Sequence, residues 1–449
     1  MTFKNSIINK SLVMGALAAI FILGLFLRFS VLAGTVVDTP VRADAKKYVT
    51  YAYNLSHYGV YSGQNTLNNH PSEQPKPDAV ITPGYPVYLS LFFDKGPIKW
   101  SQLKASLVVQ TVLSALSVVF IFYIFSPILG ARLSLIVAFL TALSPHLISA
   151  NVYLLTESLF SFLMLAWLFT LGSIRNGKVS LVVMVLCGVL LAMSSLTRSW
   201  LQYFIVFLIL YIIFSTGIEE KKRVAYGILA GFLLIFLIWF IRNIVSTEGN
   251  DSSLMLATLH HGMYPGMMYE LNPKSFGFPY RFDPESAFIT QSRANFFSVL
   301  WARFLEEPWR YFSWYLWGKA SMVMSWDIIA GFGDVFIYPI TKTPYQNEGV
   351  FRWTHNVMHY LHAPLTCLAI LGAIVAWFPA KVATFERSQW QIRLVSLVFI
   401  YFIMIHMIAA PFPRYSIPIR PIVYGLSIYF MAEIWCRVRL SMFVKVKDN

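Results

Sequence analysis

Apolar residues along this chain gather into runs of about 20, long enough to cross a hydrocarbon core of about 30 Å as helices. The runs fall at 12–33, 102–125, 131–147, 156–173, 179–196, 200–217, 224–245, 357–378, 393–411 and 416–436. A further segment, 308–328, is apolar and aromatic but carries Lys319 and Asp327. Two long polar stretches, 34–100 and 246–307, separate the runs. The pattern predicts an all-α polytopic membrane protein with a single transmembrane domain over 1–449. If 308–328 crosses and returns through 328–340, the count is about 11–12 transmembrane helices.

The first polar stretch has its own periodicity. Asp44, Tyr48, Tyr51 and Leu55 recur at the spacing of one helix face, which predicts a helix from Ala43 that stops at Gly59. Its tyrosines favour a membrane interface where phenols are half wet. Residues 64–78, rich in Asn, Pro and Ser, read as an irregular loop. Pro83, Gly84 and Pro86 then turn the chain into a second short apolar segment, 87–93. Two in-plane helices over the bundle are expected. In the second stretch, His260, His261, Gly262 and several prolines prevent a long helix until about Ser292. Tyr264, Tyr269, Tyr280, Arg281 and Asp283 there either line a sugar site or pack the loop.

Composition fits the same class: 57% of residues are hydrophobic and 12% charged. The net charge of +14 reflects short loops rather than a nucleic-acid surface, and no nucleic-acid partner is expected. Arg132, Lys178, Lys221, Lys222, Arg223, Lys381, Arg387 and Arg393 lie between runs or at their edges and Arg437 follows the last run, which makes those segments cytoplasmic by the positive-inside rule. The stretches 34–100 and 246–307 are then extracytoplasmic. Span 224–245 ends outside and span 357–378 begins outside, so 308–328 either lies in the interface or crosses and returns. The three cysteines sit in or at the ends of spans and imply no disulfide framework. No internal repeat is evident, which weighs against common transporter architectures.

Chemistry concentrates near Asp44, a carboxylate among Arg42, Lys46 and Lys47 in an outer loop. It either favours a helix N-terminus, for about 0.3–1 kcal/mol, or acts as a base. Glu157 opens span 156–173 on the same side and carries the same two readings. Arg198, Arg242, Lys319 and Arg414 lie near outer span ends, where they either snorkel to headgroups or hold a phosphate. His355, His359 and His362 share a helix face, but no acid falls inside the set, so no metal site is assigned. The stretch from Trp326 through Asp334 and Tyr338 to Tyr345 is an acceptor-facing loop or a re-entrant turn.

The order of short motifs resembles the GT-C membrane glycosyltransferases, in the branch of protein O-mannosyltransferases and lipid A aminoarabinose transfer. The matching pieces are Leu27-Arg28-Phe29, Asp44, the segment Ala52 to Leu55 with Gly59, and Pro83-Gly84-Tyr85-Pro86. They continue with Thr156-Glu157-Ser158 and Leu196-Thr197-Arg198, where Ser199 replaces a family proline. Ile241-Arg242-Asn243, Pro308 with Lys319, and Pro413-Arg414-Tyr415 with Pro418 complete the set. The resemblance implies the GT-C fold and an inverting transfer from a polyprenyl-phosphate sugar donor to a glycolipid, polysaccharide or protein acceptor. It implies Asp44 as base with Glu157 as second acid. Arg242, Lys319, Arg414 and Arg198 would hold the donor phosphate, and Arg42, Tyr48, Tyr85, His260 and Tyr415 would contact substrate. A divalent cation is an open question. The expected setting is a bacterial inner membrane with the site facing outward, among membrane lipids. An oligosaccharide ligase or polymerase, or a glycolipid flippase, are the alternatives.

Overall fold

The computed structural model describes residues 10–67, 74–176, 179–215, 219–247, 253–267, 278–329, 331–346, 349–379 and 388–447. Tyr269, Lys178, Lys381 and Arg387 lie outside these residues. Helix α1 (Lys10–Gly34) leads into strand β1 (Val36–Val37), then α2 (Ala43–Tyr58) and α3 (Gly84–Ser90). The bundle continues through α4 (Trp100–Leu129), α5 (Ala131–Leu143), α6 (Pro145–Ser149), α7 (Glu157–Gly172), α8 (Leu181–Thr197), α9 (Phe204–Phe214) and α10 (Lys221–Ser246). The second polar stretch holds α11 (Ser253–Gly262), α12 (Ser286–Ile289) and α13 (Arg293–Glu306), and segment 308–328 opens with α14 (Pro308–Ser313). A π-turn and α15 (Lys319–Val323) follow. Strand β2 (Ile340–Lys342), α16 (Val350–Val375), α17 (Gln389–Ile408) and α18 (Arg420–Lys447) complete the chain.

Among the described residues, six helices are long and apolar enough to span a membrane. The bent pair α5–α6 makes a seventh, and α7, α8 and α9 are shorter apolar helices. By length and composition up to seven spans therefore qualify among the described residues, beside three shorter apolar helices. Segment 308–328 is built differently. The pieces Pro308–Ser313, Trp314–Gly318 and Lys319–Val323 have six, five and five residues, a rise of about 24 Å at 1.5 Å per residue, short of a bilayer core. Lys319 donates to the carbonyls of Ile408 and Ala409, both 3.1 Å away, at the end of α17. The Trp314 indole donates to Gly262 in the second polar stretch. Downstream, β2 pairs antiparallel with β1, Val36 opposite Lys342. These contacts tie the segment and the chain that follows it to the face that carries the first loop. Exposed Phe297, Trp301, Trp309, Phe312 and Trp317 on α13, α14 and the π-turn have the character of an aromatic belt at a lipid interface.

Arg28, fully buried in α1, shapes the first helices. Its guanidinium donates to Ser114, and to the carbonyls of Gly24, Thr141 and Ala142. The last two belong to the final turn of α5, where Pro145 ends the helix and the chain bends by 49°. Arg28 thus satisfies carbonyls freed by the break, in a region without water to do so.

Helix α2 starts at Ala43 and stops at Gly59, whose φ of +66° allows the left-handed cap. Its tyrosine face differs from the half-wet expectation. Tyr51 and Tyr53 are buried against the protein, and the Tyr51 hydroxyl donates to Asp78. Asn54 donates to the carbonyls of Ser62 and Gln64, folding the following loop back on the helix. Helix α3 sits directly on the end of α8. A Cβ on Gly84 would lie 2.7 Å from both the backbone N and the Cα of Thr197. Gly84→Ala therefore forces α3 and α8 apart and should cost about 1–3 kcal/mol. The check is a lower thermal midpoint together with reduced activity, because α3 carries Tyr85 next to Tyr48.

Candidate active site

Asp44 occupies the first turn of α2, after a backbone in which Thr39 and Ala43 hold φ of 49° and 44°. Left-handed conformations at non-glycine residues cost about 1–3 kcal/mol each and persist where surrounding contacts over-determine them. Here the contacts are the β1–β2 pair, the Asp38 amide donating to Pro339, and the Ala45 amide donating to the Tyr338 hydroxyl. The Asp44 carboxylate accepts a hydrogen bond from Arg414. Arg414 stands on the 3₁₀ turn Pro413–Ile419 that opens α18, which Pro413 and Pro418 keep from continuing as α-helix. Beside them, Arg198, at the end of α8, donates to Glu157 at the start of α7 over 3.1 Å.

The two ion pairs meet at Tyr415. The Arg198 guanidinium lies 4.7 Å, and that of Arg414 5.5 Å, from its ring centre. Tyr48, one turn after Asp44, lies in the field of both carboxylates and both arginines. Its ring meets Tyr85 edge-on at 5.3 Å, and the Tyr85 hydroxyl donates to Gln110 in α4. Arg42 covers the Tyr338 ring at 5.8 Å. The pairs differ in access: the side chain of Glu157 is 3% exposed and that of Asp44 32%. One Glu157 oxygen, Oε2, is buried with no partner among the described residues. The Arg414 guanidinium holds the Asp44 carboxyl below the usual carboxylate range against the opposing effect of burial, with Lys47 and Arg198 adding to it. Burial, reinforced by the two carboxylates, pushes the Tyr48 phenol up.

The structure therefore brings together Asp44, Glu157, Arg198, Arg414, Tyr48, Tyr85, Tyr415 and Arg42. Arg242 is engaged elsewhere: it donates to the carbonyls of Tyr61 and Asp78 and lies over the rings of Tyr61 and Trp239. Lys319 caps α17 and lies 3.7 Å over Tyr315. Both arrangements use the cation on backbone carbonyls and aromatic rings. His260 belongs to a separate network, donating to Tyr264, which donates to Asp283, which also accepts from Arg303. Burial pushes Asp283 up, but those hydrogen bonds hold it below its usual range. The neighbouring His261 comes closer to the Asp44 cluster. It stacks on Tyr280 at 3.8 Å and meets Phe412, which meets Tyr415. Burial pushes His261 down to about 4, so it is neutral at physiological pH.

His355, His359 and His362 do not converge on a point. His355 donates to Asp334, His359 stacks on Trp326, and His362 donates to the Met324 carbonyl. The Trp326 indole also donates to Asp334, and His146 donates to the Trp326 carbonyl. These contacts pin the loop between α15 and β2. Among the described residues no group of three His, Cys, Asp or Glu side chains could hold a metal ion. Asp44 and Glu157 are each paired with a guanidinium.

No family model matches the chain, and no curated protein matches it by sequence. Solved structures do. The oligosaccharyltransferase AglB of Archaeoglobus fulgidus, in complex with an inhibitory peptide and a dolichol-phosphate, superposes with a TM-score of 0.50 at 15% identity, over 98% of this chain and 52% of AglB. Its apo form gives 0.51 at 12% identity over the same shares. ArnT of Cupriavidus metallidurans bound to undecaprenyl phosphate gives 0.42 at 11% identity, over 95% of this chain and 78% of ArnT. The chain spans about half the length of the oligosaccharyltransferase. By its helix arrangement this polytopic membrane protein shares the fold of that oligosaccharyltransferase, the GT-C fold expected from the sequence.

Proposed function

We propose that this protein is an inverting glycosyltransferase that takes a sugar from a polyprenyl-phosphate donor and passes it to an acceptor hydroxyl on the face of its long loops. The acceptor is a glycolipid, polysaccharide or protein. The setting is a bacterial inner membrane with that face outward. One observation carries the reading: a solvent-reachable carboxylate, Asp44, beside two guanidiniums that flank one ring, at the loop end of a GT-C bundle. Asp44 takes the proton of the acceptor hydroxyl. The freed oxygen attacks the anomeric carbon as the carbon–oxygen bond to phosphate breaks. The phosphate leaves with the electron pair, stays on the polyprenyl chain, and is stabilised by Arg414 and Arg198. Tyr48 and Arg42 wall the sugar, whereas Tyr85, expected from the sequence to contact substrate, is fully buried and only backs Tyr48. Charge held at helix ends on one face supports surface chemistry over transport, which places charge near the midplane.

Because each carboxylate is balanced by an arginine, the proposed reaction needs no divalent cation. Membranes containing the protein should transfer sugar from a single-sugar monophosphate donor equally well with and without EDTA. Loss of transfer on chelation, restored by Mg²⁺ or Mn²⁺, would favour a diphosphate-linked oligosaccharide donor. Envelope lipids and glycans that are unchanged on deleting the gene would count against any transferase.

A further inference from the structure

Taking the donor reading above as its basis, we infer that Arg414 is shared between the Asp44 carboxylate and the donor phosphate, so that arrival of the phosphate releases the base. The observed pair is a poor resting state for catalysis. A carboxylate bound to a guanidinium has lost proton affinity, and a general base works best with its pKa near the operating pH. Yet Arg414 is also one of two cations flanking the Tyr415 ring, the natural place for an anion. Both roles use the same donor group, so they compete.

Three features decide which carboxylate yields. Glu157 is 3% exposed and fixed at a helix start, whereas Asp44 is 32% exposed on a loop helix. An incoming phosphate therefore displaces Asp44 from Arg414, while Glu157 keeps Arg198 in place. Second, Asp44, Glu157, Arg198, Arg414, Lys47 and Arg42 together carry two excess positive charges, so the site attracts the single negative charge of a phosphodiester. Third, the groups facing Asp44 are Arg414, Lys47 and Arg198, with the phenols of Tyr48, Tyr338 and Tyr280. Once Arg414 turns to phosphate, the largest effect lowering Asp44 is withdrawn, Lys47 and Arg198 remain, and burial together with the phosphate charge favours a higher proton affinity for Asp44. The base becomes competent only with donor in place, which protects the site from idle proton uptake and fixes the order of binding as donor first.

The test is binding by the full chain in lipid nanodiscs. The probe is the methyl diester of undecaprenyl phosphate, which stays a monoanion, with undecaprenol as the uncharged control. Asp44→Asn removes the competitor and should tighten the diester by about tenfold, as removal of a masked state does, without changing the alcohol. Arg414→Ala should weaken the diester by about tenfold or more. In the wild type, titration at about pH 5 in two buffers of different ionisation enthalpy should reveal proton uptake on diester binding that Asp44→Asn lacks. This second readout decides even if Asp44→Asn misfolds. Wild type and Asp44→Asn binding the diester equally, with no proton uptake, would overturn the shared arginine and leave the donor reading standing. A diester bound no better than the alcohol by any variant overturns both.

Discussion

Asp44→Asn is expected to abolish the proposed glycosyl transfer, lowering kcat by about 10³-fold, in line with the 10²–10⁴-fold that a positioned general base contributes. Asparagine keeps the shape and an oxygen that still accepts from Arg414. With Asp44 32% exposed, the lost charge contributes about 1 kcal/mol or less to stability. The variant therefore folds, and its defect reads as chemistry. A kcat near that of the wild type ends the assignment of Asp44 as base. The acid side of the pH profile adds a second check. Arg414 holds Asp44 below its usual range in the free protein, so the stability of the ion pair is complete above the unfolded carboxylate value of about 4 and is lost as pH falls through the lowered folded value. The acid limb of kcat/KM, which reports the free enzyme, should therefore lie below about pH 4, and Asp44→Asn should remove it.

What the sequence revealed and what it hid follow one division. Features written in local spacing were legible. Helix α2 runs from Ala43 and stops at Gly59 because four face positions and one left-handed cap lie within 17 residues. Features set by distant partners were not. Arg198, Arg242, Lys319 and Arg414 look alike in sequence, each a cation near a span end. Only the fold shows that Arg242 and Lys319 satisfy carbonyls at Tyr61, Asp78, Ile408 and Ala409, whereas Arg198 and Arg414 face carboxylates. The same holds for 308–328. Its apolarity is that of a span, and what ties the chain that follows it to one face is a strand pair whose members are about 300 residues apart. Tyr338 and His261 carried no spacing signal that tied them to Asp44. Their nearness comes from β2 lying on β1 and from α11 packing against Ala409 and Phe412.

Breaking the second ion pair from its arginine side has the larger structural effect. Arg198→Met strands the Glu157 carboxylate, 3% exposed, with neither oxygen bonded, since Oε2 already has no partner among the described residues. An uncompensated buried charge costs about 3–5 kcal/mol, seen as a fall in thermal midpoint at fixed scan rate. Glu157→Gln costs less, because Arg198 is 11% exposed and keeps its place over Tyr415. The double variant Glu157→Gln/Arg198→Met removes both charges and should recover most of the loss, a coupling that contact pairs show and distant sites do not. Wild-type stability in Arg198→Met would mean that Glu157 finds a proton or another partner. The double variant also separates two roles that share these residues. If it regains stability and still fails to transfer sugar, the pair acts on substrate as well as on the fold. If transfer returns with stability, Glu157 and Arg198 serve only to seat Tyr415 between the two guanidinium positions, and the chemistry rests on Asp44 and Arg414.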